Sequence, residues 1–277
     1  MPELPEVETI KRGLAALITG KKIKGVETDL PKMIRGKTLS EFSASVTGTK
    51  ITGVNRRGKH LLINLSNGLT IVGHLKMTGQ LLVVKASDPV EKWTHIIIHL
   101  SDGRDLRFRD IRQFGYLELY PTAEIGEAGE KMPGLGPEPL SRSFTRGVLD
   151  WQLKKHPKPK IKSLLLNQSF IAGLGNIYAD EVLYYARVRP TRRAGVLTAK
   201  EKDRIYAGIK TVLDAAIAKK GTTVRNFVDA EGEPGGYLEH LKVYGRTGEY
   251  CPRCDEGKIK RVVVGGRSTH YCPKCQK

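Results

Sequence analysis

The stretch Met132-Pro133-Gly134-Leu135-Gly136-Pro137-Glu138-Pro139-Leu140 divides the chain into two parts with different patterning. Its three prolines lack the amide proton that a helix or sheet ladder needs. Its two glycines lose the most conformational freedom on ordering. Such a run reads as a linker between domains. Before it, from Lys21 to about Tyr120, short runs rich in β-branched and aliphatic residues recur. They are His60–Leu65, Leu69–His74, Gln80–Lys85, His95–Leu100 and Leu106–Phe108. Ser66-Asn67-Gly68 and Ser101-Asp102-Gly103 punctuate them as hairpin turns, and strands this short and close predict a β-sandwich. After the linker, Thr145–Lys155, Lys160–Asn167, Ile177–Ala186 and Ala199–Lys219 carry helical patterning. His156-Pro157-Lys158-Pro159-Lys160 is a stiff basic joint among them, and Thr222 to Gly236 reads as a flexible loop.

The two ends add a helix and a metal site. Val7, Ile10, Leu14 and Leu17 recur at helical spacing, so residues 5–18 predict a helix with one apolar face. Pro5 suits its first turn, and Glu6 and Glu8 suit the positive end of its dipole. All four cysteines lie in the tail as Cys251-Pro-Arg-Cys254 and Cys272-Pro-Lys-Cys275. Two C-x2-C pairs separated by a short hairpin place four thiolates around one tetrahedral ion, so the expectation is one structural Zn²⁺. Without it the tail has almost no core of its own. Lys258–Val264 and Ser268–Tyr271 predict two strands joined through Gly265-Gly266-Arg267. Arg267 then lies at the tip of the hairpin, where it either meets a phosphate or stays a solvated turn residue.

Composition narrows the class of partner. Lys and Arg total 47 against 29 Asp and Glu, a formal charge of +18. An excess of this size is a statement about partners, and nucleic acid is the polyanion such a surface most often meets. No run of 18 apolar residues exists and no signal peptide is visible, so the expected location is the cytoplasm. At the amino end, Met1 precedes Pro2 and Glu3, which the helix pattern does not explain. Removal of Met1 would expose a secondary amine. An α-amino group has a pKa of about 7.7–8.0, so a usable fraction is a neutral nucleophile near neutral pH.

Five segments carry a resemblance. Pro2-Glu3-Leu4-Pro5-Glu6-Val7-Glu8-Thr9 closely resembles the start of the bacterial formamidopyrimidine-DNA glycosylases. Arg56-Arg57-Gly58-Lys59, His74-Leu75-Lys76-Met77-Thr78-Gly79, Arg109-Asp110-Ile111-Arg112-Gln113-Phe114-Gly115 and Gly173-Leu174-Gly175-Asn176-Ile177-Tyr178-Ala179-Asp180-Glu181 follow in the family's order. With the zinc hairpin, the resemblance covers essentially the whole chain. It implies an α+β fold: a β-sandwich with an N-terminal helix, then a helix–two-turn–helix domain ending in a zinc-finger β-hairpin, with DNA in the cleft between. The expected divisions are 1–132 for the catalytic domain, 133–142 for the linker, 143–221 for the helical domain, 222–237 for a base-recognition loop and 238–277 for the zinc module.

The resemblance also implies a reaction on double-stranded DNA containing oxidised purines or abasic sites. The damaged nucleotide is flipped out, because a base inside the stack cannot be reached. The Pro2 nitrogen forms a Schiff base at C1′, Glu3 donates a proton and Glu6 holds the N-terminal geometry. Lys59 contacts phosphate and assists elimination, and Arg267 takes part in δ-elimination. Met77, Arg112 and Phe114 match side chains that fill the vacated stack, although core packing is the ordinary reading of a strand Met or Phe. Asn176 and Lys162 match phosphate contacts, and His74, His95 and Lys158 are further candidate DNA contacts. Gln113 departs from the family, where a basic residue is frequent. A monomer acting on the bacterial nucleoid is expected. The rival readings are an endonuclease VIII-like glycosylase for oxidised pyrimidines and a non-catalytic module that binds damaged DNA. The second has no use for Pro2, Glu3 and Lys59 together.

Overall fold

The computed structural model describes all 277 residues. They form two compact units. The first comprises Met1–Pro133 and Lys219–Gly236, the second Gly134–Ala218 and Tyr237–Lys277.

The first unit opens with helix α1 (Leu4–Ile18). Its apolar face, Val7, Ile10, Leu14 and Ile18, is fully buried, and each such side chain contributes roughly 1.5–3 kcal/mol by leaving water. Two sheets follow. One has the order β1 (Ile23–Thr28), β7 (Thr94–Leu100), β8 (Arg104–Asp110), β6 (Gly79–Lys85). The other has the order β2 (Ile34–Arg35), β9 (Tyr116–Pro121), β5 (Leu69–His74), β4 (His60–Leu65), β3 (Ile51–Arg57). The core draws Ile96, Ile98 and Phe108 from the first sheet, Val54, Leu61 and Ile71 from the second, and the apolar face of α1. Strand β4 is buried on both faces, since Leu62 joins Val72 and Ile125 in a second cluster with Met132. A short helix α2 (Leu39–Val46) also contributes Phe42 to the main core. Its start is written locally: Thr38 and Glu41 form a reciprocal capping box. Helix α3 (Thr122–Ile125) closes the sheet portion.

The segment Thr222–Gly236 corrects one expectation. Its patterning reads as a flexible loop, yet Ala230 is fully buried and Phe227 nearly so, both in the main core of the first unit. Val83 donates its amide to the Ala230 carbonyl at 3.0 Å, so the segment also completes backbone bonding along β6. Nothing in the sequence of this glycine-rich run records which of its apolar residues are buried, and only long-range closure reveals it.

The second unit holds α4 (Arg146–Lys155), α5 (Ile161–Leu166), α6 (Asn176–Ala186) and α7 (Ala199–Ala218). The linker after Pro133 is docked on this unit. Gly136 donates to the Gln168 carbonyl at 2.8 Å and Pro137 accepts from Ala172 at 3.0 Å. Helix α6 is the spine of the unit and is buried almost throughout. The tail forms the hairpin β10 (Lys260–Val264) and β11 (Arg267–Tyr271). Gly265 and Gly266, at φ 56° and 71°, form its two-residue turn, a conformation that matches the twist of the strands. Arg267 is therefore the first residue of β11, exposed beside the turn. No helix is long and apolar enough to cross a membrane.

Candidate active site and nucleic-acid contacts

The start of α1 places the groups expected to do chemistry. Met1 is half exposed and precedes Pro2, which is buried. Glu3 and Glu6 are each 1 % exposed and Lys59 is 6 % exposed. Glu6 holds two distant pieces of backbone: Oε2 accepts from the Glu3 amide at 2.7 Å, and Oε1 accepts from the Thr222 amide at 2.7 Å. Gly221, at φ 79°, packs so closely there that a Cβ would lie 2.8 Å from Glu6 Oε1. Lys59 sits in the β3–β4 turn, and Arg56 clamps that turn to α1. Its Nε donates to Glu8 Oε2 at 3.0 Å and its Nη1 to the Gly58 carbonyl at 3.0 Å. The Met1 amine, the chain terminus here, is held below its ordinary 8.0 chiefly by burial. Glu3 and Glu6 oppose the shift, while Lys59 and Arg225 reinforce it. This corner thus favours a neutral amine.

His60 and His74 extend the corner. Their rings meet edge to face at 4.7 Å, and His74 stacks on Tyr116. Burial lowers His60 to about 4 and His74 to about 2, with nearby cations adding to both. His74 Nδ1 accepts from the Lys76 amide at 2.9 Å, so the neutral ring carries its proton on Nε2 as a donor. The Arg35 guanidinium lies 3.7 Å from the centre of the Tyr116 ring. Arg35 and Tyr116 carry no local signal in the sequence that marks them as neighbours of His74, whereas Lys76 lies in the same motif.

Met77, Arg112 and Phe114 come together. Met77 is 41 % and Phe114 50 % exposed, so core packing explains neither. Arg112 Nη1 lies 2.8 Å from Met77 Sδ, and its guanidinium stands 4.8 Å from the Phe114 ring centre. Asp110, fully buried, organises the loop. Its Oδ2 accepts from the amides of Phe114 and Gly115 at 2.9 and 2.7 Å, and its Oδ1 from the amide of Arg112 at 3.2 Å and from the Thr78 hydroxyl. Asp110 lies inside the quoted motif, and the aspartate-to-backbone pattern two to five residues on was the signal for its role. His95 occupies an irregularity in the β7–β8 register, with Nδ1 on Asp29 at 2.9 Å and a buried Nε2 that has no partner.

In the second unit, α6 ties the zinc module in place. Asp180 Oδ2 accepts from the His270 amide at 2.9 Å and from His270 Nδ1 at 3.1 Å. Glu181, almost fully buried, accepts three successive amides, Lys242, Val243 and Tyr244, each at 2.9 Å. Asn176 Nδ2 donates to the Ser268 carbonyl at 2.8 Å, one residue from Arg267. Lys162 requires a correction. It is fully buried, and its ammonium donates to Asp180 Oδ1 at 2.5 Å and to the Asn176 carbonyl at 3.0 Å. A lysine so enclosed supports the turn that bears Asn176 and does not itself present charge to a phosphate. Lys158 is exposed in the basic joint.

The four cysteines converge with all Sγ atoms within 4.8 Å of one another. Cys251–Cys275 and Cys254–Cys272 are each 3.8 Å apart. A tetrahedron with Zn–S bonds of roughly 2.3 Å has sulfur–sulfur edges of about 3.8 Å, whereas a disulfide would need about 2.0 Å. The Gly257 and Cys275 amides donate to Cys254 and Cys272 sulfur at 3.4 and 3.3 Å, as expected of thiolate ligands. The donor set fits one structural zinc.

Comparison with known proteins agrees along the whole chain. Residues 1–117 match the formamidopyrimidine-DNA glycosylase N-terminal domain, residues 135–228 its H2TH domain, and residues 256–277 the zinc finger found in FPG and IleRS. The formamidopyrimidine-DNA glycosylase of Pelotomaculum thermopropionicum is 52 % identical over 264 residues, spanning 95 % of both chains. That of Desulforamulus reducens is 46 % identical over 266 residues, spanning 95 % of this chain and 94 % of its own. Among solved structures, the complex of Lactococcus lactis Fpg with DNA containing an abasic site superposes with a TM-score of 0.92. It has 36 % identity and 99 % coverage of each chain. A mutant of the same protein bound to DNA containing Fapy-dG gives the same TM-score and identity, with 100 % coverage of each.

Proposed function

The chain belongs to the formamidopyrimidine-DNA glycosylase family, and from that premise we propose that it repairs DNA through the nitrogen of Pro2. It is a base-excision-repair glycosylase for oxidised purines in duplex DNA, and AP lyase activity is typical of its family. With Met1 removed, the Pro2 amine attacks C1′ of the flipped nucleotide. The bond to the damaged base breaks, the sugar opens at O4′, and an iminium links protein to DNA. Glu3 supplies the proton that O4′ needs on opening. Glu6 keeps the Glu3 backbone, and with it the amine, in place. Loss of the C2′ proton expels the 3′ phosphate, and the δ-elimination then expels the 5′ phosphate. Lys59 and Arg267 stabilise the departing phosphates, with His74 and Asn176 donating to the backbone. Met77, Arg112 and Phe114 fill the stack that the nucleotide vacates. Lys158 and His95 contact the flanking backbone, and the zinc holds the hairpin that presents Arg267. One chain carries every group, so it acts as a monomer, on the nucleoid of a bacterial cell.

The observation that carries this reading is the N-terminal corner. There buried Pro2 follows a Met1 amine whose pKa burial lowers, and the buried carboxylates of Glu3 and Glu6 and the buried Lys59 surround the same end of the chain. The test is borohydride trapping on a duplex with 8-oxoguanine opposite cytosine. A covalent adduct mapped to Pro2, and lost in Pro2→Gly, is the expected result. No adduct from zinc-loaded protein with a free Pro2 would overturn the assignment.

A further inference from the structure

Lys59 leaves the chain at a point where the backbone has two ways to turn. Strands β3 and β4 pair down to Arg57 and His60, so Gly58 and Lys59 are the two central residues of a hairpin turn. Gly58 stands at φ 56°, the positive value that both primed hairpin turns need at their first central residue. The two types differ by a flip of the peptide between the central residues. The second central residue has positive φ in type I′ and negative φ in type II′. Here that peptide joins Gly58 to Lys59, so a flip redirects the Lys59 side chain. Glycine accepts either form. The steric penalty that separates them at a lysine is about 1–2 kcal/mol, a bias of roughly 5- to 30-fold. Firm aim therefore needs a hold from outside the turn.

Arg56 supplies it. Its side chain is 8 % exposed, and Nη1 donates to the Gly58 carbonyl at 3.0 Å. That oxygen belongs to the peptide that would flip, so a flip breaks the bond. The same guanidinium donates through Nε to Glu8 Oε2 at 3.0 Å. Burial pushes the Glu8 carboxyl up, but Arg56, Arg12 and Lys11 beside it win and hold it below its usual range. Glu8 thus stays ionised at neutral pH and keeps its end of the bridge. It sits on α1, the helix whose first residues follow Pro2 and Glu3. Arg56 therefore spans from that helix to the peptide that carries Lys59, and a planar fork of donors suits two acceptors at once. We propose that Arg56 is a positioning residue for Lys59: it locks the Gly58–Lys59 peptide in one orientation and, through Glu8, ties that orientation to the helix that begins beside Pro2. The proposal rests on the glycosylase reading for what Lys59 does, and adds how Lys59 is aimed.

Two measurements on the full, zinc-loaded chain test this. The first is independent of activity. In protein labelled with [15N]lysine, the Lys59 amide resonance is assigned by its loss in Lys59→Ala. It should move or split in Arg56→Ala and stay in place in Arg12→Ala, which removes another partner of Glu8 but not the bond to Gly58. An unmoved Lys59 amide in Arg56→Ala would overturn the proposal. The second is a double-mutant cycle on single-turnover cleavage of a duplex with one 8-oxoguanine opposite cytosine. Arg56→Ala should slow cleavage about 10- to 100-fold, the cost of a misplaced group. Adding it to Lys59→Ala should cost nothing further, because a lock has no effect on a side chain that is gone. Arg56→Lys keeps a charge beside Glu8 without the fork, so it should recover only part of the rate. Should Arg56→Ala not fold, Arg56→Lys carries both measurements. Equal slowing with and without Lys59 would mark Arg56 as a general structural residue and overturn the proposal, as would wild-type cleavage by Arg56→Ala. A wild type that neither cleaves nor traps, with a Lys59 amide that still moves in Arg56→Ala, would support the lock and count instead against the glycosylase reading.

Discussion

Lys162 and Asp180 are both fully buried, and each makes the other's charge tolerable. An unpaired ion in such a place is far costlier than the pair is favourable, so the effect of substitution depends on which partner remains. Lys162→Met leaves the Asp180 carboxylate with only His270 and should destabilise the second unit by about 3–5 kcal/mol. Urea unfolding followed by circular dichroism measures this. If Lys162 instead acted by presenting charge to a phosphate, the same variant would keep its stability and lose only affinity for DNA. The lysine was legible in the sequence as part of the family pattern. Its burial was not, because the residue that neutralises it lies 18 positions away on another helix.

Helix α6 and the hairpin β10–β11 form one mechanical element. Asn176, Asp180 and Glu181 fasten the strands and the chain before them to the helix, while the four thiolates close the far end. Metal ligation supplies the folding free energy that so short a tail cannot draw from a core. Stripping zinc with a chelator should therefore abolish tight binding of abasic-analogue duplex, with Arg267 no longer presented, while the strands of the first unit stay folded. Anisotropy with labelled duplex and amide protection measured on the same sample separate these outcomes, and added zinc should restore binding. Tight binding by protein shown to be metal-free would contradict this account. The cysteine spacing made this element readable in advance, since chelation geometry depends on a few neighbouring residues. The carboxylates that anchor it sit inside a quoted motif but gave no sign of what they would hold.

For the molecule as a whole, stability should depend on pH through its buried histidines. His60 and His74 titrate at about 4 and about 2 when folded, against an ordinary 6.5. Both stay neutral in the folded state, whereas the unfolded chain takes up protons below about 6.5. Their contribution is complete above that pH and is lost as the pH falls from 6.5 toward 4, continuing toward 2 for His74. The slope is on the order of 1 kcal/mol per pH unit for each ring. Burial draws His99 down too, but its bonds to Asp105 and Glu27 win and its pKa is raised, so it works in the opposite sense. Thermal melts between pH 7.5 and 5 should show Tm falling with pH, and His60→Phe should flatten that fall. An unchanged slope in His60→Phe would show that other groups govern it.

The sequence by itself determined the apolar face of α1, most of the strands, the zinc ligands and the order of the family motifs. Each of these is encoded within a few consecutive residues, through periodicity, turn chemistry or chelate spacing. Only the tertiary structure decided that Glu6 binds the amide of Thr222 across 216 positions, and that Lys219–Gly236 returns to the first unit and buries Ala230. These depend on pairing buried polar groups and closing gaps in the core. Such pairings take their free energy from exclusion of water over the folded whole, and no local pattern in the chain records them.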